Sequence, residues 1–224
     1  MAARAFVWTG GALFVIALMC CAWWYLFEAG NSIPYTGQRA IAIDACLFSV
    51  FALHHSVFAR ETAKRWLDRL PHELIRPVYV YAASLLFIAV FVAWRPIGGA
   101  AYRTSGWPEL AFVACQLLGL WLIVLAVSRI DALELAGIRP TTSPDALQTS
   151  GPYRWVRHPL YLGWLLATFG TPHLTGDRLV FAAVSTAYLM LAVPWEERSL
   201  VRAFGDRYVH YQRAVRWRMI PFIY

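Results

Sequence analysis

Basic, imidazole and phenol side chains cluster within a short segment in the second half of the chain. The cluster contains Tyr153, Arg154, Arg157, His158 and Tyr161. Guanidinium groups bind carboxylates, an imidazole takes or gives a proton near neutral pH, and aromatic rings pack against planar or cationic groups. This composition indicates a site that binds a charged ligand and moves a proton.

A purely structural interpretation of the same cluster is also open. The arginines would then anchor the chain at the cytoplasmic face of a membrane, aromatic residues would lie at the interface, and Pro159 would begin a helix. This interpretation gives no purpose to His158, Tyr161 or Gly163. Gly163 lies one turn into the predicted helix, where a small residue lets another backbone or a ligand approach closely.

Two adjacent carboxylates, Glu196 and Glu197, follow the last apolar run. If a new helix begins at Pro194, both carboxylates lie in its first turn and are stabilised by the helix dipole. If the preceding helix continues through Glu196, the pair lies near its cytoplasmic end and needs partners. The sequence leaves both interpretations open.

Beyond Gly205 the sequence predicts a final amphipathic helix. Asp206 can cap this helix, and Tyr208, Tyr211 and Val215 recur at helical spacing along one face. Arginines surround this stripe, so we expect the tail to lie on anionic headgroups, with the stripe serving mainly for packing.

The composition places these groups in a membrane protein. The chain has 224 residues, of which 59% are hydrophobic and 15% charged, whereas a soluble domain has roughly 45–50% apolar and about 25% charged residues. The net charge of +7 is therefore interpreted as membrane topology, with no nucleic-acid partner. All four cysteines fall in apolar segments, which excludes a disulfide framework and predicts no metal site.

The apolar runs predict an all-α, polytopic integral membrane bundle of about six segments. Four are long and two are shorter: Phe6–Phe27, Ala40–Ala59, Pro77–Trp94, Leu110–Ser128, Leu160–Leu174 and Leu179–Val193. The first is expected to be a retained transmembrane helix, and the last two a helical hairpin joined by a tight turn at 175–178. We predict a single domain over 1–224, with four transmembrane helices in 1–128 and the binding loop, hairpin and amphipathic tail in 129–224.

The distribution of basic residues predicts the orientation. With both termini in the cytoplasm, 16 of the 20 Lys and Arg residues lie on the inner side, as the positive-inside rule requires. Only Arg39, Arg95, Arg103 and Arg178 fall outside. The predicted location is the inner membrane of the cell, with both termini cytoplasmic and membrane lipids as partners.

The motifs resemble those of a known superfamily. Arg157-His158-Pro159-x-Tyr161-x-Gly163, an apolar hairpin, Glu196-Glu197 and then Phe204-Gly205-x-x-Tyr208-x-x-Tyr211 are similar to the isoprenylcysteine carboxyl methyltransferase and phospholipid methyltransferase superfamily. The resemblance implies S-adenosylmethionine as cofactor. It assigns cofactor binding to His158, Tyr161, Gly163, Glu196 and Glu197, and the chemistry of the cofactor adds Tyr153 and Arg157.

The chemistry of that cofactor fits these residue types. It carries a sulfonium, an ammonium, a carboxylate and an adenine, so it calls for carboxylates, a basic group and aromatic walls. Glu196 or Glu197 is expected to pair with the ammonium and Arg157 with the carboxylate. Tyr153 or Tyr161 is expected to flank the adenine.

The first half of the chain resembles the membrane-bound methanethiol S-methyltransferases. The similarity rests on His54-His55-Ser56-Val57-Phe58-Ala59-Arg60, Lys64-Arg65-Trp66, Arg76-x-x-Tyr79-Val80 and Trp94-Arg95-Pro96-Ile97. It implies a small thiol such as methanethiol as the acceptor. Only a thiolate attacks well, so Arg157 or Arg154 would favour the thiolate and His55 or His158 would take its proton. The predicted catalytic residues are His158, Arg157 and His55.

Other functions remain open. A prenyl-cysteine carboxylate, a phospholipid or another lipophilic molecule could replace the thiol as acceptor. Membrane sterol reductases also carry an arginine-histidine-proline loop, but asparagine typically follows it where this chain has Leu160. A transporter or haem protein using His54, His55 and Asp44 would explain the polar groups within the membrane but not the glutamate tail.

Overall fold

The computed structural model describes residues 1–58, 71–130, 133, 136–138 and 147–224. Its helices are α1 (Ala2–Trp23), α2 (Gln38–Phe58), α3 (His72–Val92), α4 (Trp107–Val127), α5 (Pro159–Phe169), α6 (Gly176–Phe204) and α7 (Asp206–Ala214). Two short strands, β1 (Ala100–Arg103) and β2 (His173–Thr175), form a two-stranded sheet. Ala59, Arg60, the Lys64-Arg65-Trp66 motif and part of the loop between Arg129 and Ser150 lie outside the described residues.

Five helices in the described part of the chain are long and apolar enough to cross a membrane: Arg4–Glu28, Gln38–Phe58, Leu74–Val92, Trp107–Val127 and Gly176–Phe204. They leave large apolar side chains uncovered, including Leu53 (67% exposed) and Val124 (68% exposed). Such apolar outer faces suit contact with lipid tails. The chain is an integral membrane protein of the all-α class, as its composition predicts.

The described residues divide into two compact units. The first comprises 1–101, 132–141 and 175–184 and packs around Phe181, which is 1% exposed. The ring of Phe181 lies 5.3 Å from that of Trp24 and 5.7 Å from that of Phe91, centroid to centroid. Edge-on and tilted contacts between aromatic rings of this kind add to the apolar area that each ring buries.

The expected tight turn at 175–178 is wrong, because α6 already begins at Gly176. Asp177 at its start accepts hydrogen bonds from Trp94 Nε1 (2.8 Å) and from the main-chain N–H of Ile97 and Gly98 (2.9 Å each). Arg178 is 8% exposed and donates to the carbonyl of Tyr25 (3.1 Å). This arginine therefore satisfies the end of α1, where carbonyls lack helical partners, and does not face water.

The second unit comprises 102–131, 142–174 and 185–224, and its main helix contact is the crossing of α4 and α5. Gly119 and Gly163 meet there, and a Cβ added to Gly163 would lie 2.8 Å from the Gly119 carbonyl oxygen. Gln116 Nε2 donates to the Ala167 carbonyl across the same contact (2.9 Å). Small residues allow this approach of two backbones.

α5 is shorter than the predicted Leu160–Leu174 segment, because the helix ends at Phe169. The chain continues beside α4 in extended form, and the main-chain N–H of Thr104, just before α4, donates to the Pro172 carbonyl (2.9 Å). Helix and extended segment together therefore run antiparallel to the whole length of α4. The hairpin with α6 is present, since Trp164 Nε1 donates to Ser185 Oγ (2.9 Å).

The last long helix settles the two interpretations of the glutamate pair. α6 continues without a break through Pro194 to Phe204, so a new helix does not begin at Pro194 and the predicted end at Val193 is wrong. Glu196 and Glu197 lie well inside this helix. In the same way α3 begins at His72 and contains Pro77, where the sequence predicts its start.

Replacing Gly119 by alanine should destabilise the protein despite the better helix propensity of alanine, about 1 kcal/mol. The added methyl would press on the backbone of α5 near Ala167 and Gly163. We expect a lower thermal unfolding temperature in detergent. Ala114→Val, on an exposed part of α4, is the control and should leave it unchanged. An unchanged or higher unfolding temperature for Gly119→Ala would show that the crossing tolerates the extra carbon.

Candidate active site

Arg157 and His158, which we call the histidine loop, lie directly before α5 and are held there by a segment from the end of the chain. Pro159 is the first helical residue, as predicted, and His158 precedes it. The main-chain N–H groups of Arg157 and His158 donate to the carbonyls of Trp217 (2.9 Å) and Arg218 (2.7 Å). We call the segment Val215–Tyr224 the strap. Because it pairs with the loop main chain, the strap determines where the His158 ring lies.

A buried ion pair links the loop to α6. Arg157 Nε lies 2.5 Å from Glu197 Oε1, and the two side chains are 7% and 4% exposed. Arg157 Nη1 also donates to the carbonyls of Val215 (2.6 Å) and Arg216 (2.9 Å) at the start of the strap. The guanidinium thus connects three elements, and its desolvation is offset by charged and main-chain acceptors.

Glu197 receives further donors on its other oxygen. Arg218 Nε lies 3.1 Å and Gln212 Nε2 3.3 Å from Oε2. His158 Nε2 is buried and lies 3.5 Å from Oε1. Glu197 is therefore surrounded by the protein's own cations and amides.

Glu196, its neighbour in sequence, is in a different environment. Its side chain is 42% exposed, and Tyr161 donates its hydroxyl to Oε2 (2.7 Å). His158 Nδ1 lies 3.7 Å from the same oxygen. The rings of His158 and Tyr161 are parallel within 3°, with centroids 5.3 Å apart. This stack and the tyrosine hydroxyl orient a carboxylate that still has access to a ligand.

The far end of the strap is attached to α6 at a point created by Pro194. Proline has no N–H, so the Met190 carbonyl one turn earlier lacks its usual helical donor. Tyr224 donates its hydroxyl to that carbonyl (3.1 Å). The Arg218 guanidinium lies 5.3 Å from the centre of the Tyr224 ring. Tyr224 therefore helps to position Arg218, which contacts Glu197.

The predicted amphipathic stripe is present and is used for packing. Tyr208, Tyr211 and Val215 are buried together, and Tyr211 donates its hydroxyl to the Tyr153 carbonyl (2.7 Å). Asp206 lies in the first turn of α7, and the capping position belongs to Gly205, with φ of 57°. Burial and, second, the charge of Glu196 raise the pKa of Tyr153 to about 12. This phenol therefore stays neutral at physiological pH.

Two predicted site residues are in less direct positions. A Cβ added to Gly163 would point at α4, so the small residue allows close contact with the backbone of that helix. Cofactor contact at Gly163 stays a prediction. His55 belongs to the other compact unit, where its Nδ1 lies 2.8 Å from the Tyr79 hydroxyl. Its catalytic role also stays a prediction. Asp44, on the same helix as His55, is fully buried and accepts the main-chain N–H of Arg95 (2.9 Å).

Sequence reasoning missed three residues of the site: Gln212, Arg218 and Tyr224. Gln212 and Arg218 contact Glu197 only because the chain reverses after α7, and no spacing rule predicts that contact. The sequence did signal the need for a group such as the Tyr224 hydroxyl, because a proline inside an apolar helix leaves one carbonyl without its helical donor.

Comparison with known proteins places the chain in a family. Residues 110–207 match the phospholipid methyltransferase family. A methanethiol S-methyltransferase of Pseudomonas sp. is 33% identical, with 95% of this chain and 92% of that protein aligned. The chain belongs to the methanethiol S-methyltransferase family. Methanethiol S-methyltransferase 2 of Bradyrhizobium diazoefficiens is 39% identical over 81% of this chain and 74% of its own length.

This membership makes the chain a membrane methyltransferase and confirms both resemblances noted in the sequence. A more distant relative is nurim of Bos taurus, 29% identical over 75% of this chain and 71% of that protein. No solved structure matches the chain. The family match at 110–207 contains the loop and both glutamates but ends before Gln212 and the strap, which hold Glu197 in place.

Removing the charge of Glu197 should destabilise the protein strongly. Glu197→Gln leaves the buried Arg157 guanidinium without its counter-ion, and breaking a buried pair in this way costs about 3–5 kcal/mol. We expect a large drop in thermal unfolding temperature in detergent. Glu196→Gln, at a 42% exposed side chain, is the matched control and should change it little. Equal effects of the two substitutions would mean that the Arg157 pair does not stabilise the fold.

Proposed function

We propose that this chain transfers a methyl group from S-adenosylmethionine to a small thiol, with methanethiol as the best candidate. The donor would bind beside the histidine loop and Glu196. The observation that carries the proposal is the contrast between two adjacent carboxylates. Glu197 is buried among protein donors, whereas Glu196 is oriented by Tyr161 and open to a ligand.

The fit of the donor to this site rests on charge. An exposed, oriented carboxylate suits a cationic ligand group, so we assign the ammonium of the donor to Glu196 and not to Glu197. Arg157 already binds Glu197 and two main-chain carbonyls, so we assign it a positioning role. Arg154 is exposed three residues earlier and is the better partner for the donor's carboxylate. Tyr153 is the ring left to flank the adenine, because Tyr161 is already stacked on His158.

The reaction requires alignment more than acid-base chemistry. When bound, the donor supplies an electrophilic methyl group on a sulfonium. The protein's part is to hold the acceptor sulfur in line with that methyl, and positioning of this kind supplies several kcal/mol of barrier reduction. The acceptor must lose its proton, since the thiolate is the nucleophile. His158, whose ring lies beside the exposed Glu196 and stacks on Tyr161, is our first choice to receive it, with His55 as the alternative.

The acceptor class is supported by the relatives and by the polar groups of the first unit. The two relatives that align over 95% and 81% of the chain are named for methanethiol. His55 and Tyr79, at one end of α2 and α3, form a hydrogen-bonded pair close to the predicted cytoplasmic side. We propose that this pair contacts the thiol. A lipophilic acceptor such as a prenyl-cysteine or a phospholipid is the competing possibility.

We infer an inner-membrane protein whose two termini both face the cytoplasm. Five spans alone would put the termini on opposite sides, but α5 and the extended segment after it also run the length of α4. That makes six passages. Because Arg178 is buried against Tyr25 and Leu26, the outer side has one basic residue fewer in water than the sequence suggests, which strengthens the asymmetry.

Methyl transfer is tested directly with purified protein, methyl-labelled S-adenosylmethionine and a panel of acceptors. We expect labelled dimethyl sulfide from methanethiol, and much less label in a farnesyl-cysteine analogue or phosphatidylethanolamine. Transfer to a lipid acceptor with none to thiols would show that the acceptor is not a small thiol. Failure to bind the donor at all would overturn the whole proposal.

Glu196→Gln should weaken binding of S-adenosylmethionine about tenfold or more, because a charge-assisted hydrogen bond contributes about 1.5–3 kcal/mol. Titration calorimetry on folded protein measures this. Glu109→Gln, an exposed carboxylate at the start of α4, is the control and should leave affinity unchanged. Equal affinities of wild type and Glu196→Gln would remove Glu196 from the donor site.

A further inference from the structure

The first compact unit contains a cavity that the proposed methyl transfer does not use. Its volume is about 340 Å³, at the lower end of the range of small-molecule sites. It lies where α1 and α3 end, at the opposite end of α3 from Tyr79. The lining residues on which the inference rests are Trp24, Glu28, Asn31, Phe91, Trp94 and Asp177.

The inner wall of the cavity is aromatic and rigid. Trp24 lies 4.7 Å from Trp94 and 5.2 Å from Phe91, centroid to centroid, and all three rings are 6–8% exposed. Trp94 is held by its Nε1 hydrogen bond to Asp177 (2.8 Å). The positions of these rings are therefore fixed before any ligand arrives.

The backbone at this wall is unusual. After Trp23, α1 continues as a π-helical turn over Trp24–Glu28, closed by the N–H of Ala29 donating to the Trp24 carbonyl (2.8 Å). Such turns are rare and are found frequently at functional sites. Arg178 donates to two carbonyls of this turn, and Thr175 donates to the Ala29 carbonyl. These side-chain hydrogen bonds stabilise the irregular backbone.

The electrostatics of the cavity favour a cation. Asp177 contributes a buried carboxylate, and Glu28 contributes an exposed one at the mouth. Among the described residues that line the cavity, none is basic. The ends of α1 and α3 add the partial negative charge of helix carboxyl termini. The nearby Arg178 guanidinium is turned to the Tyr25 ring, 5.1 Å from its centre, and to main-chain carbonyls.

We propose that this cavity binds a small organic onium cation, a quaternary ammonium or a sulfonium with methyl substituents. Faces of Trp and Phe attract such cations, which carry no proton to donate and so need no hydrogen-bond acceptor. Glu28 supplies the counter-charge at the mouth. The cavity lining includes neither Glu196 nor the His55–Tyr79 pair, and the proposed binding does not depend on the proposed reaction.

The test is a saturation-transfer NMR titration of the purified full chain in a neutral detergent, with tetramethylammonium as the probe. We expect saturable binding, and Glu28→Gln should weaken it about twofold to fivefold, in keeping with the strength of ion pairs at exposed sites. The neutral alcohol 3,3-dimethylbutan-1-ol, which carries a tert-butyl group in place of a tetraalkylammonium, should bind more weakly than the cation and should not respond to the substitution.

Glu109→Gln is the matched control, since it removes the same charge from an exposed position outside the cavity. It should leave tetramethylammonium binding unchanged. Three outcomes would overturn the proposal: no saturable binding of the cation, equal weakening by Glu28→Gln and Glu109→Gln, or equal affinity for the cation and the neutral alcohol. S-adenosylmethionine binding, measured on the same samples, reports separately on the methyl-transfer site.

Discussion

The buried carboxylate of Glu197 is the centre on which the second unit depends. It binds Arg157 of the histidine loop, Gln212 of α7 and Arg218 of the strap, so one side chain joins three segments that are far apart in the chain. A carboxylate in this position is stable only while those donors are present. The geometry of His158 and Glu196 is thus set indirectly, through a neighbour that we do not expect to touch the donor.

The fold class was predictable because the physical signal is strong. Runs of about 20 apolar residues must form helices in a bilayer, where no water can satisfy the main chain. Boundaries were less predictable, since Pro77 and Pro194 lie inside helices. At Pro194 the Tyr224 hydroxyl supplies the donor that the helix lacks. The end of α5 at Phe169 was missed because the segment was predicted from its apolar length, although Gly170 and Pro172 together are a readable signal for the end of a helix.

The residue types of the site could be predicted from the sequence, but the different roles of Glu196 and Glu197 could not. Arg157, His158, Tyr161 and the glutamate pair carry enough pattern to be recognised from the sequence alone. The distinction between Glu196 and Glu197 requires their surroundings, because adjacent helical residues point in directions about 100° apart. The Glu197 side chain therefore points into the protein interior and that of Glu196 is 42% exposed, a difference that composition and spacing do not contain.

The strap has a consequence for how the protein is made. Its residues follow the five long apolar helices of the described part of the chain, and synthesis proceeds from the amino terminus. The loop that carries Arg157 is therefore made before the strap carbonyls and Arg218 that it contacts. The arrangement around Glu197 is completed only after α6 has been made, and a chain interrupted after α7 would contain those five helices and lack the strap.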